Sequence, residues 1–270
     1  MLPGFEQIAE RLRRSTVQVL NGGGGGSGVV WDQEGTIVTN AHVARGNDAR
    51  IIDARGRRFR ARVTRKDPDC DLALLESDAS DLEPAAITSS ASLKVGQIVL
   101  AAGNPLGITG AVAAGMIHAI GPLDAAPPEF AASRPWIQAD VRLAPGNSGG
   151  ALADAAGRVI GINTMVFHGI GLAVPSDQVR RFLSGAPRLR LGVEMMSNRD
   201  NLIVVRIEQG SLAEHAGILI GDVILCRPAV LRQILAAAEQ SGWADLPITR
   251  GGRKLTLRLD AHDRSEAEAA

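Results

Sequence analysis

Three short segments carry side chains that together could break an acyl bond: Thr39-Asn-Ala-His42-Val, Asp67-Pro-Asp-Cys-Asp71-Leu-Ala-Leu-Leu75 and Pro145-Gly-Asn-Ser148-Gly-Gly150. A serine hydroxyl is a poor nucleophile near neutral pH. It needs a neutral imidazole to take its proton, and a carboxylate to fix the imidazole tautomer and favour the imidazolium. The oxyanion that develops needs rigid N–H donors, and glycines beside the serine permit the tight backbone that presents them. Ser148 has that setting, with Gly146 before it and Gly149-Gly150 after it. It is the candidate nucleophile, and the N–H groups of Gly146 and Ser148 are the candidate oxyanion donors. His42 is the candidate general acid and base. Asp67 and Asp69 compete with Asp71 for the third role, but only Asp71 directly precedes the apolar run 72–75 that would anchor it beneath an imidazole.

These residues lie far apart in the chain, so the fold must gather them. Short apolar runs divided by turn signals recur at 17–20, 28–31, 36–38, 51–52, 58–63, 72–75, 98–102, 111–120, 134–138, 150–152, 159–166 and 171–174. With few helices between them, they predict an antiparallel sandwich or a pair of barrels. Asp32 to Gly35 reads as a hairpin turn. A short amphipathic helix or arm is predicted at 6–14, and a second helix at 175–183 with Ser176 as its cap. Ser184-Gly-Ala-Pro187 reads as a linker. Beyond it, strands are predicted at 189–195, 201–207, 223–226, 246–250 and 254–259, with a helical turn at 211–216 and a helix at 228–239. The domain expectation is an arm over 1–15, a large domain over 16–184, a small one over 188–260 and a flexible tail over 261–270.

Composition narrows the function. The 270 residues carry 29 Lys and Arg against 29 Asp and Glu, a formal net charge of zero. That balance gives no support to whole-chain binding of nucleic acid or an anionic membrane. Aromatics are 3% with no Tyr, which weighs against a stacking platform for bases. Residues 95–123 lack Asp, Glu, Lys and Arg and are long enough to span a bilayer. Asn104-Pro105 and six glycines break them into pieces of strand length, so they read as buried strands and no membrane span is expected. Five charged residues between Glu6 and Arg14 leave no apolar core for a signal peptide as the chain is written, which reads literally as cytoplasmic. Cys70 and Cys226 read as separate thiols rather than a bridge. Gly23-x-Gly25-x-x-Gly28 matches a dinucleotide fingerprint, but it opens a strand and no helix follows, so it reads as a flexible loop. The arginines between 55 and 65 alternate as a solvated strand face would.

Thr39-Asn-Ala-His-Val, Asp71-Leu-Ala-Leu-Leu, Gly103-Asn-Pro-Leu-Gly107, Gly146-Asn-Ser-Gly-Gly, Gly161-Ile-Asn-Thr164 and Ala173-Val-Pro-Ser176 resemble the HtrA family of serine proteases. The order His, Asp, Ser is also that of the chymotrypsin arrangement. The smaller unit, with Leu191-Gly-Val193, Ser211-Leu-Ala-Glu-His-Ala-Gly217, Gly221-Asp-Val-Ile224 and Arg250-Gly-Gly, resembles the PDZ domain that follows in that family. The resemblance implies a mainly β, chymotrypsin-like double six-stranded barrel followed by a small α+β PDZ-like domain. It implies endopeptidase action on unfolded or misfolded polypeptides, in protein quality control, often as a homotrimer and without a cofactor or metal. Leu2-Pro3-Gly4-Phe5 is similar to the apolar segment through which relatives trimerise.

The chain departs from the family at Arg142 and Ala144, in a shorter loop over 165–171, and at Cys226-Arg-Pro228, where relatives carry a longer turn. Leu143, Met165 and Ile170 are candidates for the substrate pocket. None is acidic, so cleavage after Val, Ala or Leu is expected. Leu191, Gly192 and Val193 could offer N–H groups to a C-terminal carboxylate, with Arg188 and Arg190 nearby. A proteolytically silent holdase that binds exposed peptide is the alternative from another class, and an esterase on the same three residues is a third.

Overall fold

The computed structural model describes residues 4–22, 24–68, 70–79, 81–121, 123, 135–185, 189–198 and 200–261. The chain divides into two compact units, one holding residues up to 121 together with 135–186, the other built mainly from 187–270.

In the first unit, α1 (Phe5–Arg14) turns Ile8 and Leu12 inward. Six strands follow: β1 (Thr16–Asn21), β2 (Gly24–Val30), β3 (Thr36–Thr39), β4 (Asp48–Ile52), β5 (Arg58–Asp67) and β6 (Leu72–Ser77). They close in the order β1-β2-β3-β6-β5-β4. The second barrel uses β7 (Ile98–Gly103), β8 (Ala111–Gly121), β9 (Trp136–Asp140), β10 (Ala151–Asp154), β11 (Val159–Phe167) and β12 (Ile170–Pro175). It closes as β10-β11-β12-β9-β8-β7. The fold is mainly β, with two closed six-stranded barrels in the chymotrypsin-like arrangement. Alternation along each strand fills the barrels. Val17, Val19, Ile37, Ile51 and Leu75 pack inside the first, and Val99, Ile117, Ile137, Leu152 and Ile160 inside the second. On β5, Arg58, Arg60 and Arg62 are exposed while Ala61 is buried, so the arginine alternation is a solvated face.

Each strand expected between 17 and 174 has a counterpart, but two local readings change. The glycine run is not a loop. Gly24, Gly25 and Gly26 pair with Asn21, Leu20 and Val19 as the first half of β2. A Cβ on Gly26 would lie 2.7 Å from Val43 Cγ2 and 2.8 Å from the carbonyl of Ser148, so a close approach and not flexibility requires glycine there. Ser176 does not cap α2 (Ser176–Ser184), because Pro175 holds the N-cap position. The Ser176 hydroxyl instead donates to the carbonyl of Thr88 at 2.6 Å. The Asp32 turn forms as expected, its carboxylate accepting from the N–H groups of Glu34 and Thr36.

The second unit is a sheet in the order β13-β14-β15-β16-β17. Its strands are β13 (Val193–Asn198), β14 (Asn201–Ile207), β15 (Val223–Ile224), β16 (Trp243–Arg250) and β17 (Arg253–Asp260), joined by α3 (Leu212–His215) and α4 (Pro228–Ser241). Its first strand starts four residues later than the sequence suggests. Gly192 has φ of +75°, which breaks the extended run, and Leu189 and Leu191 turn into the core instead. Ser211 caps α3 by accepting from the N–H of Glu214. Gly242, at φ +86°, ends α4. Neither Cys70 nor Cys226 forms a disulfide. Among the described residues no helix is long and apolar enough to cross a membrane. Asp69, Arg188, residues 1–3, the linker residues 186–187 and the tail from 262 onward lie outside the described residues.

Candidate active site

The antiparallel pairing of β3 with β6 sets Thr39 opposite Ala73, so the residues just after β3 face those just before β6. Asn40 is buried there, and its side-chain NH2 donates to the carbonyl of Asp71 at 2.8 Å. Asp71 takes a positive φ of +53°, a conformation that Asp adopts more readily than branched residues do. That turn aims its carboxylate back at His42. The His42 N–H donates to Oδ1 at 3.1 Å, and Nδ1 lies 2.8 Å from Oδ2. The hydroxyl of Thr164, from the second barrel, donates to the same Oδ2. The Asp71 side chain is 12% exposed and that of His42 47%, so the carboxylate is enclosed while the imidazole keeps an open face. With Nδ1 against a carboxylate, the ring proton belongs on Nδ1 and Nε2 is left as an acceptor. Asp67 does not compete: its carboxylate accepts from the N–H of Cys70 within its own turn.

Ser148 lies in the tight turn that precedes β10. Glycines let this turn press against both barrels. A Cβ on Gly149 would lie 2.0 Å from the carbonyl of Ser27, and one on Gly150 2.2 Å from that of Ala102. Gly146 has φ of +103°. Gly149 N–H donates to Asn163 O at 2.7 Å, and Asn163 N–H returns to Gly150 O at 2.8 Å. Asn147 N–H is used by Ala144 O at 3.0 Å, while the amides of Gly146 and Ser148 have no acceptor among the described residues. Two alternate amides with nothing to bind are what an oxyanion site requires. Ala144 acts here through its carbonyl, and Arg142 is exposed, so neither departure disturbs the turn. The Ser148 hydroxyl donates to the carbonyl of Thr164 at 2.7 Å.

The three candidate pocket residues are all half-buried, but they do not share a wall. In the β11–β12 hairpin Met165 pairs with Leu172 and Phe167 with Ile170, which puts Met165 and Ile170 on one face. Val166 and Gly171 pair on the other, where Leu143 Cδ1 lies 3.0 Å from the position of a Gly171 Cβ. In the second unit Leu191 is buried, and its carbonyl and that of Gly192 accept from Ala213 and Glu208. Val193 opens β13. Thr164, Ser27 and Asn40 were not singled out by the sequence as functional. Thr164 and Asn40 stand inside quoted motifs, Asn40 two residues before His42, which was the available signal.

Residues 26–162 match the family model of the trypsin-like peptidase domain. The chain is 35% identical to the putative serine protease HhoA of Synechocystis sp., over 87% of this chain and 70% of that protein. It is 32% identical to a probable periplasmic serine endoprotease DegP-like of Pseudomonas fulva, over 95% of this chain and 61% of that protein. With chloroplastic Protease Do-like 1 of Arabidopsis thaliana the match is 41% over 64% of this chain and 42% of that one. The chain thus spans roughly two fifths to seven tenths of the length of these relatives. Among solved structures, the HtrA-type protease AlgW with a tripeptide superposes with a TM-score of 0.74 at 28% identity, covering 96% of both chains. The serine endoprotease of Yersinia pestis superposes with a TM-score of 0.69 at 26% identity, covering 96% of this chain and 98% of that one. The chain belongs to the HtrA-type, trypsin-like serine proteases.

Proposed function

We propose that the chain is a serine endopeptidase in which Ser148 is the nucleophile, His42 its general base and acid, and Asp71 the carboxylate that orients His42. The observation that carries this reading is the convergence on Asp71: His42 Nδ1 from the first barrel and the Thr164 hydroxyl from the second meet one carboxylate. Ser148 Oγ is bonded to that same Thr164. In the reaction the Ser148 hydroxyl turns from the Thr164 carbonyl to Nε2 of His42. Its oxygen attacks the scissile carbonyl as Nε2 takes the proton. The oxyanion enters between the amides of Gly146 and Ser148, and Nε2 then hands its proton to the leaving amine. A water repeats the sequence on the acyl-enzyme, delivering its proton through the same imidazole and freeing Ser148.

The substrates are unfolded or misfolded polypeptides, a class supported by relatives named periplasmic endoproteases and by AlgW structures that hold peptides. Cleavage follows small or medium aliphatic residues, in keeping with the apolar Leu143 beside Gly171. The peptidase domain takes 16–184 after an arm over 1–15. The region 188–260 is a PDZ-like domain, a reading supported by its five-stranded sheet with two helices. The amides of Leu191 and Gly192, without acceptors among the described residues, would receive a peptide C-terminus there. Phe5, 59% exposed at the start of α1, offers an apolar contact for a homotrimer.

A fluorophosphonate probe and an unfolded protein substrate test the reading. Wild type is expected to be labelled and to degrade the substrate, and Ser148→Ala to do neither. An unlabelled wild type that suppresses client aggregation would make the chain a holdase, and turnover of esters without polypeptides would make it an esterase.

A further inference from the structure

We infer that Ser27 is a positioning residue for the oxyanion site, an inference that rests on the endopeptidase reading above. Ser27 stands in the middle of β2, in the barrel opposite the nucleophile, and is fully buried. Its hydroxyl donates to the carbonyl of Gly146 at 2.7 Å, and its N–H donates to the carbonyl of Ser148, also at 2.7 Å. One residue therefore holds the two alternate carbonyls of the turn whose two alternate amides receive the oxyanion. Ser27 is itself tied down. Its Oγ accepts from the N–H of Asn104 at 2.8 Å, and its carbonyl accepts from Thr39 Oγ1 at 2.6 Å.

The peptide between Gly146 and Asn147 is pinned at both ends. Its carbonyl is held by Ser27 Oγ, and its N–H by Ala144 O at 3.0 Å. Gly146 N and Ser148 N hang on either side of that plane. Gly146, with no Cβ and φ of +103°, offers little resistance to its rotation. Without the Ser27 hydroxyl the plane is held at one end only, and a buried carbonyl loses its donor. A water would need more room than a deleted hydroxyl leaves. The amides would then converge poorly on a developing oxyanion, while the surfaces that bind the peptide stay in place.

The test uses the full chain and compares wild type with Ser27→Ala in three measurements. These are turnover of a fluorogenic peptide, affinity for a peptide aldehyde whose hemiacetal oxygen enters the oxyanion site, and affinity for the corresponding peptide alcohol, which has no carbonyl oxygen to place there. Ser27→Ala is expected to lower kcat about 10- to 100-fold with KM within about twofold. Aldehyde affinity should fall with kcat, and affinity for the peptide alcohol should hold. Ser176→Ala is the control, since it deletes another fully buried hydroxyl donor, to Thr88 O, away from the site. It should lose comparable stability and keep wild-type kcat. If Ser27→Ala does not fold, Ser27→Cys replaces a strong donor by a weak one and should show the same split. Wild-type kcat and aldehyde affinity in the folded variant would overturn the inference, as would equal loss of both peptide affinities. A wild type without turnover or labelling would overturn the peptidase reading and the role of Ser27 with it.

Discussion

The hydroxyl of Ser148 donates to the main-chain carbonyl of Thr164 at 2.7 Å. Thr164 in turn gives its own hydroxyl to Asp71, so a single residue of β11 touches both ends of the proposed triad. In the proposed reaction Ser148 must leave that carbonyl before its proton can pass to His42. That step exchanges one hydrogen bond for another, a net change of about 1 kcal/mol or less. The resting bond is a modest hold on the serine and not a block.

Thr164→Val tests the other half of that relationship. The substitution keeps the carbonyl and the branched shape and removes the donor to Asp71 Oδ2. Thr164 is 1% exposed, so no bulk water replaces the lost donor readily. The carboxylate would then be oriented by His42 alone. We expect kcat to fall about 10-fold with KM little changed, and stability to fall about 1–2 kcal/mol. Steady-state kinetics and a denaturant titration check both. An unchanged kcat would remove Thr164 from the machinery.

Asp71→Asn separates the charge from the backbone. Asn tolerates the positive φ of +53° that Asp71 adopts, so the turn should survive. An amide at this place can hold His42 in the wrong tautomer, with Nε2 protonated and unable to accept from Ser148. Turnover should drop about 10³- to 10⁴-fold, because the imidazole loses both the tautomer it needs and the charge that favours its protonated form. Circular dichroism should stay native. Retained activity would mean that another carboxylate serves His42.

Much of this was legible in the chain. Twelve apolar runs with turn signals between them gave the barrels, and the setting of Ser148 among glycines singled out its turn. The partners that complete the site were not legible, because they act through geometry that a linear pattern does not carry. Ser27 sits in a glycine run that reads as a loop until its pairing with β1 is known. Thr164 stands beside Asn163 in an otherwise apolar strand, and nothing local says that its two ends face Asp71 and Ser148. Leu143, Met165 and Ile170 look alike by composition. Only the hairpin register divides them.

Gly26 and Gly24 make a matched pair of substitutions within β2. A Cβ at Gly26 meets the Ser148 carbonyl at 2.8 Å and Val43 at 2.7 Å, while one at Gly24 meets nothing within 4 Å. Gly26→Ala should cost about 2–4 kcal/mol and slow labelling of Ser148, since the carbonyl that must yield is that of Ser148 itself. Gly24→Ala should be neutral or stabilising by about 0.5 kcal/mol, through a less flexible unfolded chain. Thermal unfolding distinguishes them. Equal effects would show that the run is a loop after all.

Specificity should follow the face of the hairpin. Leu143 is packed toward Gly171, opposite the face of Met165 and Ile170. Leu143→Ala should widen that side and shift the kcat/KM ratio for cleavage after Leu relative to Ala about 10-fold toward Leu. Met165→Ala should leave that ratio within about twofold, whatever it does to overall rate. A peptide series differing only at the residue before the scissile bond reads this out. The reverse ranking would put the pocket on the other face.

The second unit should lose stability in acid through Asp222. This carboxylate is 1% exposed and takes a bidentate pair from Arg250, at 2.8 Å from Nε and 2.7 Å from Nη2, plus the N–H of Leu219 at 2.9 Å. The Arg250 hydrogen bonds hold its pKa below the usual carboxylate value, against burial, which acts to raise it. A depressed folded pKa contributes stability that is present above the unfolded value of about 3.9 and is lost as pH falls through the folded one. Arg250→Ala leaves the buried carboxylate without its cation and should cost about 3 kcal/mol at neutral pH. That difference from wild type should shrink below about pH 4, where the variant's Asp222 is protonated and no longer needs a partner. Amide exchange across 193–260, followed by mass spectrometry from pH 7 to pH 3, measures both. A gap between the two proteins that stays constant over that range would show that Arg250 acts through packing and its bond to Gly217 O, and not through the charge of Asp222.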